Sequence, residues 1–64
     1  SLEKIDELRS LIDSLRSEYE KFELKGNAVA GTRARKLLQD IKSGAQEIRE
    51  AIQERKRQKE MLGE

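Results

Sequence analysis

Apolar residues recur along the first half of the chain at alternating spacings of three and four. Ile5, Leu8, Ile12, Leu15, Tyr19 and Phe22 form this series. It is a heptad seam, with Ile5, Ile12 and Tyr19 at position a and Leu8, Leu15 and Phe22 at position d. Leu11 adds a g position and widens the stripe. The pattern predicts a helix over about 2–24. Gly26 and Asn27 interrupt it. Glycine reaches the left-handed conformation that ends a helix, and asparagine caps the start of the next one. The second half resumes the periodicity. Ala34, Ile41 and Ile48 share one heptad position, Leu38, Ala45 and Ile52 the adjacent one, and Leu37, Gly44 and Ala51 the flank. A second helix is expected over about 33–61, after a turn over about 25–32 shaped by Gly26, Asn27, Gly31 and Thr32. Asn27 and Thr32 are both plausible caps, so its start lies near one or the other.

Two such helices joined by a short connection make an antiparallel hairpin. The turn sets the register. Phe22 is expected near Ala30, Leu15 near Leu37 and Leu38, Leu8 near Gly44 and Ala45, and Leu2 near Ala51 and Ile52. The two seams end together. Beyond Ile52 the run from Gln53 to Glu60 is polar on every face and is expected to overhang. The fold class is therefore all-α: one coiled-coil-like helical hairpin occupying residues 1–64.

Composition narrows the picture. A chain of 64 residues has room for one small domain, and at this size a core is marginal without added support. Without cysteine or histidine, disulfides and the usual structural zinc sites are excluded. Association is the remaining source of stability, and a homodimeric four-helix bundle is the expected assembly. The same absences remove the commonest general base and the cysteine nucleophile, and a two-helix chain offers no deep pocket, so the chain does not read as an enzyme. No cofactor, metal or small-molecule substrate is expected. The longest apolar run is Ala28-Val29-Ala30, too short for a membrane span or a secretory signal. The chain opens on Ser1 rather than Met, which suggests a piece processed or excised from a longer protein.

Charge is abundant but nearly balanced: 42% of residues are charged, and the net charge is +1. Its distribution is uneven. Residues 1–24 sum to −3, residues 25–43 to +4, and residues 44–64 to zero. The basic excess is Lys25, Arg33, Arg35, Lys36 and Lys42 against Asp40 alone. A basic cluster beside a helix start suits phosphate, because the free N–H groups and the helix dipole both favour anions. The same residues also fit a second reading, ordinary solvating charge on a structural coiled-coil module for oligomerisation or protein interaction.

The segment Lys25-Gly26-Asn27-Ala28-Val29-Ala30-Gly31-Thr32-Arg33-Ala34-Arg35-Lys36 resembles the signature of the bacterial histone H1-like proteins related to the chlamydial Hc1 family. The close resemblance covers about a dozen residues, and the flanking helices match in type. It implies a nucleoid-associated, cytoplasmic DNA-binding protein acting in chromosome condensation. It further implies Lys25, Arg33, Arg35 and Lys36 as contacts to DNA phosphates, presented by a turn that Gly26, Asn27, Gly31 and Thr32 shape.

Overall fold

Two helices follow from the sequence's two periodic stretches. In the computed structural model, which describes residues 2–63, α1 spans Glu3–Lys25 and α2 spans Ala28–Met61. No strand occurs among the described residues. Glu3 and Asp6 lie in the first turn of α1 and Lys25 in its last, the order that complements the helix dipole. Gly26 ends α1 at φ 66°, ψ 25°, a left-handed conformation that glycine adopts without steric cost. Its N–H donates to the Phe22 carbonyl at 3.1 Å, and the Asn27 N–H donates to the Lys21 carbonyl at 3.2 Å.

Asn27 caps α2. Its side-chain oxygen accepts from the Ala30 N–H at 3.1 Å, and its carbonyl accepts from the Gly31 N–H at 3.3 Å. The connection is therefore confined to Gly26 and Asn27 rather than extending over 25–32, and α2 begins at Ala28 rather than near 33. Gly31 and Thr32, expected in the turn, lie inside α2. The reason is local. With Asn27 serving the first turn, the Thr32 hydroxyl is not needed as a cap and instead donates back to the Ala28 carbonyl at 3.4 Å, a bond available within a helix.

Small residues on α2 let the helices meet closely. Ala30 and Ala34 are the buried residues among those described. A Cβ on Gly31 would lie 2.7 Å from the Phe22 ring, and one on Gly44 would lie 2.9 Å from the Leu8 methyl. Bulky side chains of α1 thus sit on glycines of α2, in the register expected from the turn. The long axis measures 56 Å. The 34 residues of α2 account for most of it, at about 1.5 Å per residue. From Ala51 to Gly63 every residue is exposed, as expected where α2 outruns α1.

The orientation of α1 about its own axis differs from the heptad expectation. Leu8, Leu11, Leu15, Glu18 and Lys21 are its half-buried residues, while Ile5, Ile12 and Tyr19 are exposed. Positions d and g face α2, not a and d. Two interhelical ion pairs favour this rotation: Lys4 with Glu47 at 3.3 Å and Glu18 with Arg33 at 2.9 Å. Both place a g-position residue of α1 over α2, and Leu11 follows them inward.

Candidate nucleic-acid interface

The basic residues singled out by sequence gather at the turn end and along the start of α2. Lys25 is the last residue of α1. Arg33, Arg35, Lys36 and Lys42 are exposed along α2. They do not share one face. Arg33 turns toward α1, where its Nε donates to Glu18 Oε2 at 2.9 Å. Lys36 Nζ donates to Asp40 Oδ1 at 2.8 Å on α2 itself. Among the described residues Lys25, Arg35 and Lys42 make no ion pair. The five candidates therefore divide into two engaged cations and three open ones.

Glu18 is the acid of this region that sequence reading passed over. Its side chain is only 17% exposed, and it holds Lys21 at 3.6 Å as well as Arg33. The hydrogen bond from Arg33 keeps its carboxyl below the ordinary glutamate range. Partial desolvation opposes this, and the charges of Arg33 and Lys21 add to it. The one signal for it was that Glu18 shares the g position of Leu11, one heptad on.

Tyr19 and Phe22 lie beside the basic end, with ring centres 6.4 Å apart and tilted by 43°. With Gly31, Ala34, Arg35 and Leu38 they line a shallow, mostly apolar groove on one side of the hairpin. The Tyr19 phenol is pushed above its usual value by the neighbouring Glu23 carboxylate. Both rings are about half exposed, so they are not the enclosed core residues their heptad positions predicted.

Further along α2, Arg49 and Lys56 continue the line of Arg35 and Lys42 at seven-residue intervals. No cluster of groups able to hold a metal occurs among the described residues. No helix of the described residues is long and apolar enough to cross a membrane.

Residues 2–58 match the family described as histone H1-like protein Hc1. The chain belongs to this histone H1-like family. The match extends well beyond the dozen residues around the turn and takes in both helices. Histone H1-like proteins of this kind are DNA-binding structural proteins rather than enzymes, which points to the nucleoid. No curated protein and no solved structure matches the chain. Within the histone H1-like family, then, the geometry of this hairpin is the available guide to which residues act.

Proposed function

We propose that this chain is a single helical-hairpin domain that binds DNA without reading its sequence, contacting backbone phosphates through the basic turn end. The observation that carries this reading is the segregation of charge: Lys25 at the turn and Arg35 and Lys42 in the first half of α2 are exposed and, among the described residues, make no ion pair. Arg33 and Lys36 join them by exchanging a carboxylate for a phosphate. Surface ion pairs are worth only about 0–1 kcal/mol, so the exchange is easy for Lys36, whereas Arg33 must leave the part-buried Glu18. Gly26 and Asn27 keep the connection short and hold Lys25 close to α2. Membership of a histone H1-like family supports the same reading and makes compaction of the nucleoid the fitting role.

The hairpin acts as a homodimer in this proposal, packing into a four-helix bundle. Support comes from the row of exposed apolar side chains, Ile5, Ile12, Tyr19 and Leu38, which the hairpin itself does not cover. A dimer doubles the basic ends and allows two duplex segments to be bridged. The alternative, a purely structural coiled-coil module, accounts for that apolar row but leaves the charge segregation without a role.

A salt titration of duplex binding by mobility shift tests the proposal. Five phosphate contacts per chain predict a log–log slope of about −4.5. Changing Arg33, Arg35 and Lys36 together to Glu is expected to abolish binding while leaving helicity intact. Undiminished binding by that variant, or no binding of the wild-type chain at low salt, would overturn it.

A further inference from the structure

The two long sides of α2 treat their charges in opposite ways. One side carries Asp40, Glu47 and Glu54 at seven-residue intervals. Each of these acids is ion-paired: Asp40 with Lys36 at 2.8 Å, Glu47 with Lys4 at 3.3 Å, and Glu54 with Arg57 at 3.1 Å. The other side carries Arg35, Lys42, Arg49 and Lys56 at the same interval. All four are exposed, and none makes an ion pair among the described residues. Between them, four residues on from each of the first three, stand Gln39, Gln46 and Gln53. The strip from Arg35 to Lys56 thus alternates cation and amide and contains no carboxylate of its own. Glu50 borders it and accepts from Gln46 Nε2 at 3.3 Å, and Glu60 closes the glutamine row beyond its end.

We infer that this strip is a second, elongated phosphate-binding surface, which lays a DNA duplex along α2 rather than only against the turn. Each cation follows by one residue a member of the seam row Ala34, Ile41 and Ile48, or Arg55 in the overhang. It is therefore rotated by about 100° from the side packed on α1, and only Arg35, at the start of the strip, also borders the groove beside Tyr19 and Phe22. Successive cations lie about 10.5 Å apart, and the strip runs about 32 Å, close to the 34–36 Å or so of one duplex turn. Gln, like Arg and Lys, donates to phosphate oxygens, so the amides fill the intervals. Lys56 lies in the overhang, where α2 continues past α1 and every residue is exposed. On this surface the polar overhang is not a solvated tail but the far end of the binding strip.

The inference rests on the DNA-binding reading, and one experiment separates the two. A mixed-sequence 30-base-pair duplex is titrated at several salt concentrations with three double variants, each removing two cations per chain. R49Q/K56Q lies on the strip, R55Q/K59Q lies in the same region off it, and R33Q/K36Q lies at the turn. Circular dichroism confirms that each keeps its helicity. The strip predicts that R49Q/K56Q makes the log–log salt slope shallower by about 1.8, at about 0.9 per lost contact, and weakens binding at least tenfold, while R55Q/K59Q changes it less than twofold. Equal weakening by R49Q/K56Q and R55Q/K59Q would mean that only net charge matters and would overturn the strip. Weakening by R33Q/K36Q with R49Q/K56Q unchanged would overturn the strip and leave the turn reading standing. Failure of the wild-type chain to bind at low salt would remove both.

Discussion

The inter-helix seam has two edges, and they differ. On one, Leu8 and Leu11 of α1 border Gly44 of α2, with Lys4–Glu47 and Glu18–Arg33 bridging the helices. On the other, Ile5, Ile12, Tyr19 and Leu38 are about half exposed, and near the turn they border a groove with apolar walls. The first edge is closed by the hairpin itself. The second has the composition of an interior and the exposure of a surface. With only two small side chains buried among the described residues, Ala30 and Ala34, the hairpin has little core of its own. The open edge is where further burial is available, at about 25 cal/mol per Å² of apolar surface removed from water.

The sharpest test of the contrast is on the open edge. Changing Ile12 and Tyr19 together to Glu places charges where a second hairpin would pack. Both positions already face solvent, so the hairpin itself loses little. Sedimentation velocity is expected to show self-association weakened at least a hundredfold, about 2.8 kcal/mol. Unaltered association by the double variant, or a wild-type chain that stays monomeric throughout, would rule out this edge as the dimer interface.

On the closed edge the expected effect is smaller and acts on the hairpin alone. A Cβ at Gly44 would press on the terminal methyl of Leu8 at 2.9 Å, and that methyl can rotate away. Replacing a mid-helix glycine by alanine gains about 1 kcal/mol of helix propensity, so Gly44→Ala is expected to be nearly neutral. Gly44→Leu cannot be accommodated in the same way. It is expected to cost about 1–3 kcal/mol through overpacking, read as a lower melting temperature by circular dichroism. A stabilised Gly44→Leu hairpin would mean that the helices do not approach closely at this edge.

These edges also explain how far the sequence could be read. The hairpin and its register were legible because Gly26 gives a clear stop, and because bulky residues of α1 match glycines of α2 when counted outward from the turn. The rotation of α1 was not. Leu11 and Ile12 are adjacent and equally apolar, so periodicity alone does not decide which one turns inward. Ion pairs spanning 15 and 43 residues accompany the choice, and no local pattern contains them. The start of α2 was ambiguous for a similar reason. Asn27 and Thr32 are both good caps, and only the bond from Thr32 back to Ala28 shows which role the hydroxyl takes. At the candidate interface the basic cluster was visible as a charge excess, but the division between engaged and open cations depends on Glu18, a residue of the other helix.

Glu18 gives the finest test, because it distinguishes the closed edge by pH. Its carboxyl is held below the ordinary value first by the Arg33 hydrogen bond. A carboxyl whose folded value is depressed adds stability above its unfolded value, about 4.3 for glutamate, and that stability is lost as the pH falls through the folded value. Denaturant melts of the wild-type chain and of Glu18→Gln, taken from pH 7 down to pH 2.5, isolate this contribution, because the remaining carboxyls titrate in both proteins. The wild-type chain is expected to be the more stable at pH 7, with the gap closing at the acid end as Glu18 takes up its proton. Ile12 on the open edge takes no part in such a bond among the described residues: Ile12→Gln should leave a stability difference that does not change with pH. A gap of constant size for Glu18→Gln would mean that the Arg33 contact contributes nothing in solution, and that the closed edge is held by Leu8, Leu11, the glycines and the Lys4–Glu47 pair.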